Sequence, residues 1–270
     1  MFWFGKKDKQ QRPYHLGLAL SGGGARGFAH VGALRALNER GIKPDIIAGT
    51  SAGSIIAALY ADGYTPHHIL RLFSELNVKE LVDVTLPKTS LLRFDKFIKF
   101  LESRLHARNI EELKVPTLIV ATDFDNGKSV AFNQGQLSTR IAASCAIPIV
   151  FAPIIIDEVH YVDGGVLRNL PATPLRDICD VVIGVNVSPM EHQHYEQNLL
   201  SIADRAYNFL SCGNVFPDIA LCDVLIESQD ISNYNVFDLS QQAFIEELGY
   251  KRTIEVLDNL TAEQKKLLNI

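Results

Sequence analysis

Apolar and polar positions along this 270-residue chain switch repeatedly between a strand-like and a helix-like period, and the switches mark its elements. His15 to Leu20 is a short apolar run that ends in Ser21-Gly22-Gly23-Gly24, which reads as a buried strand entering a turn. From Phe28 the apolar residues Val31, Leu34 and Leu37 recur at helical spacing, and Gly41 stands where a C-terminal cap belongs. Asp45-Ile46-Ile47-Ala48 is a second strand that runs into Gly49-Thr50-Ser51-Ala52-Gly53. An almost wholly apolar helix follows, Ile55 to Ala61, stopped by Gly63. A helix apolar on every side has to be buried. Strand–helix–strand–helix order with short turns predicts an α/β fold, a parallel sheet covered by helices and joined by right-handed crossovers.

Further along, Thr65-Pro66 opens a helix through Ile69, Leu72, Phe73 and Leu76, with Pro66 at its first position. Phe94, Phe97, Leu101 and Leu105 mark another, and the stretch between Thr65 and Leu105 is expected to form either a lid or a wall. Pro116 to Thr122 and Ser129 to Asn133 read as strands around an Asp125-Asn126-Gly127 turn, and Ile154 to Ile156 with His160 to Val162 as a hairpin across Asp157-Glu158. Val181 to Val187 is expected to be the last sheet strand. After Ser188 the pattern turns helical, with Thr261 and Gln264 forming a capping box. The division expected is a flexible segment 1–14, a catalytic domain 15–190, and a helical C-terminal extension 191–270 packed on that domain.

Composition narrows the function classes. A formal net charge of −5 argues against a nucleic-acid partner, which would require a basic face. The four cysteines, Cys145, Cys179, Cys212 and Cys222, form no C-x-x-C pair and stand near no zinc-spaced histidines, so they read as small buried hydrophobes in a reducing, cytoplasmic setting. No run reaches the roughly 18 apolar residues of a membrane span. Phe2-Trp3-Phe4 with Lys6, Lys7, Lys9 and Arg12 lacks the apolar core of a signal peptide. Aromatic rings beside lysines suit transient contact with a membrane surface, although a frayed, solvated terminus is the favoured reading.

Two glycine motifs carry the chemistry. Gly49-Thr50-Ser51-Ala52-Gly53 fits G-x-S-x-G between a strand and a helix, where a tight turn holds a serine hydroxyl clear of the sheet and the helix N-terminus faces it with partial positive charge. A glycine-rich turn with an N-capping serine would give the same five residues. Ser21-Gly22-Gly23-Gly24-Ala25-Arg26-Gly27 also follows a strand and opens a helix, exposing backbone N–H groups of the kind an oxyanion hole needs. Gly22, Gly24 and Gly27 match a dinucleotide-binding G-x-G-x-x-G as well. However, the acidic residue at the required spacing, Asp45, stands at the start of the second strand, whereas ribose binding needs it at the end. No Gly-Lys-Ser/Thr follows, which excludes a nucleotide P-loop.

Ser51 needs a base, and a Ser-acid-His order would require a histidine after it. His67, His68, His106, His160, His192 and His194 stand in no compelling motif, and a serine after only the second strand is early for that arrangement. Asp163-Gly164-Gly165 offers a carboxylate coming off a strand into a glycine turn. A plain Asp-Gly hairpin is the alternative reading; in a dry site the carboxylate serves directly as the base.

Taken together, strand–SGGGARG–helix, strand–GTSAG–helix and the later DGG resemble the patatin-like phospholipase family, and Ala143-Ser144-Cys145-Ala146-Ile147-Pro148 resembles the segment that precedes its aspartate. The resemblance covers about Leu16 to Pro174. It implies a three-layer α/β/α fold with a mainly parallel central sheet. It further implies Ser51 as nucleophile, Asp163 as base and the Gly22, Gly23 and Gly24 backbone as oxyanion hole, supported by Arg26, Gly27, Gly49, Gly53, Gly164 and Gly165. Arg26 is expected to shape the loop or meet an anionic head group. The implied activity is hydrolysis of lipid carboxylic esters without metal or cofactor, by a protein whose partners are lipid or acyl-ester substrates and neither nucleotide nor nucleic acid. A thioesterase, lysophospholipase or acyltransferase would use the same site, and a non-catalytic lipid-binding regulator would keep only the fold.

Overall fold

The computed structural model describes residues 12–74, 83–84, 92–190, 197–236 and 238–270. β1 (Tyr14–Leu20) leads through a one-turn 3-10 helix at Gly24–Gly27 into α1 (Phe28–Glu39), and β2 (Ile46–Thr50) leads into α2 (Ala52–Asp62). α3 (Pro66–Ser74), β3 (Asp83–Val84), β4 (Leu92–Arg93) and α4 (Asp95–Arg104) follow. Next come β5 (Thr117–Asp123), β6 (Lys128–Phe132), α5 (Leu137–Cys145), β7 (Ile154–Ile156) and β8 (Val159–Asp163). The chain continues through α6 (Thr173–Arg176), β9 (Cys179–Asn186), α7 (Leu199–Gly213), α8 (Phe216–Ile219), β10 (Val224–Glu227), α9 (Gln242–Asp258) and α10 (Ala262–Leu268).

The central sheet runs β10-β9-β1-β2-β5-β8-β7, with β6 also paired to β5. From β10 to β5 every pairing is parallel; β8, β7 and β6 join antiparallel. Alternation along the strands sorts side chains to two faces. Leu18, Leu20 and Ile47 face the larger core shared with α1, α2, α4, α5 and α9. Ala19, Ala48 and Val182 face a smaller one with Leu170, Leu175 and Val215. Helices therefore cover both faces of a mainly parallel sheet, which is the three-layer α/β/α arrangement.

Most local signals match their elements. α2 is buried along most of its length, and Gly63 ends it with φ 107°. Gly41, with φ 73°, follows α1, and Thr261 and Gln264 form the capping box of α10. Asp157 and Glu158 both take positive φ, 49° and 66°, which is the twist a two-residue hairpin turn requires. Two expectations differ. The sheet does not end at β9: β10 pairs parallel with it, from Val224↔Ile183 to Glu227↔Asn186. Four residues between helices carry too short an alternation to stand out against a helical background, and only pairing with β9 defines them. β1 also starts one residue early, and Arg12 donates to the Cys179 carbonyl (2.8 Å). Cys145, Cys179 and Cys212 are buried and Cys222 is half-buried. Residues 2–9, Leu76, His192 and His194 lie outside the described residues. Among those described, no helix is long and apolar enough to cross a membrane.

Register does the positioning that matters for function. β2 pairs with the first half of β5 (Thr50↔Val120) and β8 with its second half (Ala121↔Asp163). The ends of β2 and β8 are thereby brought to adjacent rungs of β5, so the residue that leaves β2 meets the residue that ends β8.

Glycines permit the close crossing there. A Cβ on Gly49 would lie 2.5 Å from the Gly53 carbonyl oxygen, and one on Gly53 would lie 2.6 Å from the Ser21 carbonyl oxygen. These are backbone atoms that cannot step aside. Gly213, at the end of α7, has nothing within 4 Å of that position. Urea denaturation should therefore find Gly53→Ala destabilised by at least about 1–3 kcal/mol from overpacking. Gly213→Ala should be stabilised by up to about 1 kcal/mol from helix propensity.

Candidate active site

Ser51 sits between β2 and α2 with φ 50° and ψ −123°, a backbone conformation that L-residues rarely adopt. Holding a non-glycine residue there costs on the order of 1–3 kcal/mol, so the surroundings must enforce it. They do so through buried hydrogen bonds. Ser51 N–H donates to Ser144 Oγ (2.8 Å), whose own hydroxyl donates to the Val120 carbonyl (2.6 Å). Ser54 Oγ donates to the Ser51 carbonyl (2.6 Å). The serine side chain is thus turned off the helix axis and towards β8.

There Ser51 Oγ donates to Asp163 Oδ2 at 2.7 Å. The other carboxylate oxygen, Oδ1, accepts from Gly165 N–H (2.7 Å), so the glycine turn orients the group. Thr122 Oγ1 donates to the Asp163 carbonyl (3.0 Å) and Asp163 N–H to the Ala146 carbonyl (2.9 Å). Asp163 is fully buried and Ser51 is 7% exposed. Burial raises the Asp163 carboxyl from its ordinary 3.8 to about 6, against the bonds from Ser51, Gly165 and Tyr207, which favour the ionised form. This is a serine hydroxyl hydrogen-bonded to a dry carboxylate of elevated proton affinity, the pairing that proton abstraction from the serine requires.

The SGGGARG loop flanks the pair. Gly24 has φ 55°, and a Cβ there would run into the Val236 carbonyl. A Cβ on Gly22 would lie 3.1 Å from Ser51 Cβ, so the loop packs directly on the serine. Gly22 N–H donates to the Asn169 carbonyl (3.1 Å), whereas the N–H groups of Gly23 and Gly24 have no partner among the described residues. Arg26 is buried, and donates to the carbonyls of Tyr234 and Ser232 (2.8 Å each), anchoring the loop to the chain beyond β10. Gly27 abuts Ala52, and Gly164 abuts Val120 and Thr50.

A cavity of about 240 Å³ opens beside Ser51, lined by Gly24, Phe28, Ile55, Phe73, Phe94 and Phe151 among other apolar residues. Phe73 and Phe94 belong to the 65–105 stretch, whose described part therefore contributes to the cavity lining. Cys145 also borders the cavity; burial pushes its thiol well above the ordinary value and keeps it neutral. His106 is bonded to Asp62 (2.9 Å) and His160 to Asp125 (3.1 Å), away from Ser51, and His67 and His68 are exposed. Among the described residues no cluster of metal-binding composition occurs.

Four residues about the site carried no sequence signal of a role. Ser144 lies inside the quoted ASCAIP segment, but its bond to Ser51 is a tertiary contact. His30 is buried; desolvation lowers it to about 4, so it is neutral and its Nε2–H donates to the Ser21 carbonyl (2.8 Å) at the root of the glycine loop. Asn169 follows the DGG turn and meets Gly22 through its carbonyl. Tyr207 comes from α7, 44 residues beyond Asp163 in the numbering.

The model of the patatin-like phospholipase family matches residues 18–176. An uncharacterized NTE family protein of Mycobacterium tuberculosis is 36% identical over 179 residues, 65% of this chain and 50% of that protein. A patatin-like phospholipase domain-containing protein of Caenorhabditis elegans is 33% identical over 200 residues, 70% of this chain and 14% of that one. The chain thus spans about half the length of the mycobacterial relative. The crystal structure of VipD from Legionella pneumophila shares the fold, with a TM-score of 0.60 at 17% identity over 94% of this chain and 69% of that one.

Ser144→Ala leaves the buried Ser51 N–H without an acceptor. The variant should unfold at lower urea, with a loss of about 1–3 kcal/mol. Its reactivity towards a serine-directed fluorophosphonate should fall as well, because the strained turn loses its anchor.

Proposed function

The chain belongs to the patatin-like phospholipase family, and from that premise we propose that it is a serine acyl-hydrolase cleaving carboxylic esters of lipids. The observation that carries this reading is the 2.7 Å hydrogen bond from Ser51 Oγ to the buried Asp163 carboxylate beside an apolar cavity. In this mechanism Asp163 takes the Ser51 proton as Oγ attacks the ester carbonyl. The developing oxyanion rests on the N–H groups of Gly23 and Gly24, aided by the partial positive charge at the N-terminus of α2. Gly22 spaces the loop, since its own N–H is held by Asn169. Protonated Asp163 then gives its proton to the leaving alcohol. Water then attacks the acyl carbonyl as Asp163 takes its proton, and Asp163 returns that proton to Ser51 Oγ as the acid leaves.

The acyl chain occupies the aromatic-lined cavity and leaves the head group towards solvent. Residues 15–190 form the catalytic unit in this reading, and 191–270 close it. Lipid esters reside in bilayers, so transient contact of a cytoplasmic protein with a membrane surface belongs to the same proposal.

Three measurements test it. Ser51→Ala and Asp163→Asn should each lose more than about 10⁴-fold in activity on p-nitrophenyl esters and phospholipid, as removal of a nucleophile or its base does elsewhere. Parent-like activity in both would sink the dyad. Across p-nitrophenyl esters of increasing length, each methylene that enters the cavity should raise kcat/KM by about fourfold until the cavity is full, from about 0.8 kcal/mol per buried methylene. The same series on acyl-CoA thioesters, with and without a lysophospholipid acceptor, separates hydrolase from thioesterase and acyltransferase.

The pH dependence follows from Asp163, raised by burial from 3.8 to about 6. The base is needed ionised, so kcat/KM should rise through pH 6 and level above it. Stability should move the other way. The native carboxyl binds its proton more tightly than the unfolded one, so this site's contribution is greatest below about pH 4 and lost as pH rises through 6. Asp163→Asn, lacking the desolvated charge, should therefore melt higher than the parent at pH 8, by roughly 2–4 °C per kcal/mol recovered.

A further inference from the structure

α7 begins 23 residues past the end of the family match at residue 176, yet it lies against the turn that carries Asp163. The Tyr207 hydroxyl and Asp163 Oδ1 converge beside Gly165, where a Cβ would lie 2.5 Å from the first and 3.1 Å from the second. The hydroxyl thus stands beside the carboxylate and, as a donor does, favours its ionised form. Just beyond α7, Asn214 Nδ2 donates to the Gly165 carbonyl (2.8 Å) and Asn214 Oδ1 accepts from Asn169 N–H (2.8 Å). The opposite side of the helix carries the exposed Ile202 and Phe209.

We propose that Tyr207 is a positioning residue for Asp163, its hydroxyl holding the buried carboxylate oriented towards Ser51 and ionised at neutral pH, while Asn214 ties α7 to the same turn. This rests on the dyad reading above. A buried carboxylate needs donors on its oxygens to remain ionised. Asp163 has Ser51 Oγ–H and Gly165 N–H, each at 2.7 Å, and beside its Oδ1 the Tyr207 O–H. During the reaction the first is spent, because the Ser51 proton itself moves to the carboxylate. Gly165 and Tyr207 then alone fix its direction.

The phenol stays a donor, since burial and the neighbouring Asp163 charge hold its proton far above neutral pH. The other titratable groups facing the pair are Cys145 on α5 and Cys212 on α7, thiols kept neutral by burial. Arg26, Arg205 and Glu227 act on Cys212, and Arg168 in the turn is paired with Asp218 (2.7 Å). No charge in this set replaces the hydroxyl. Gly165 belongs to the same device, because its missing side chain leaves the space in which hydroxyl and carboxylate meet.

The test is the pH profile, from 5 to 9, of kcat/KM for p-nitrophenyl butanoate and of Ser51 labelling by a fluorophosphonate. Tyr207→Phe keeps the ring and removes the donor; Tyr207→Gln keeps a donor and removes the ring; Phe209→Ser alters only the outer side of α7. Tyr207→Phe should move the acidic limb up by about one pH unit and lower kcat about tenfold, with KM unchanged. Tyr207→Gln should return the limb towards the parent, and Phe209→Ser should superimpose on it.

A parent-like limb in Tyr207→Phe, even with a lowered melting temperature, would overturn the proposal and leave Tyr207 a packing residue. So would a limb that follows loss of the ring in Tyr207→Gln. Ser51→Ala and Asp163→Asn run alongside: activity in those variants would overturn the dyad, an outcome distinct from failure of Tyr207 alone.

Discussion

The contact between Ser51 Oγ and Asp163 Oδ2 is the constraint around which the rest of the molecule is arranged. Two groups 112 positions apart must meet within hydrogen-bond distance, in a place dry enough to raise the carboxyl to about 6. Dryness and proximity work against each other here. Burying a carboxylate costs free energy, and the cost is offset only by donors placed around it by rigid backbone. The end of β8, the Gly164-Gly165 turn and the strained Ser51 backbone all serve that placement. A misregister of a single residue between β8 and β5 would turn Asp163 to the other face of the sheet and remove it from the serine.

Strain and close packing are concentrated at the same point. The φ of 50° at Ser51 is held by Ser144 and Ser54, and the glycines on either side let two loops and a helix start cross without side chains between them. The arrangement sets the glycine loop and the first turn of α2 directly beside the serine. An apolar cavity borders the remaining side, so polar backbone and an aromatic-lined space meet at Ser51.

The chain beyond β9 is joined to this centre by more than one bond. β10 extends the sheet, Arg26 reaches the carbonyls of Ser232 and Tyr234, and Gly249 on α9 and Gly32 on α1 let those two helices cross closely. Asn214 and Tyr207 contact the Asp163 turn itself. What lies outside the family match is therefore built into the surroundings of the site.

The local sequence was enough for features whose cause is local. Strand-then-glycine turns, the caps at Gly41, Gly63 and Thr261, the Asp157-Glu158 hairpin and the buried α2 all follow from period, backbone freedom and capping chemistry within a few residues. The two glycine motifs and the DGG turn likewise pointed to Ser51 and Asp163, because a carboxylate at a strand end and a serine at an elbow leave compact signatures. Tertiary structure alone decided the remainder. The adjacency of Thr50 and Asp163 on β5, the pairing of β10, the capture of Gly22 N–H by Asn169, and the approach of Ser144, His30 and Tyr207 depend on residues 9 to more than 140 positions apart. Such contacts form only when register and packing bring distant segments together, and no pattern within either segment records its partner.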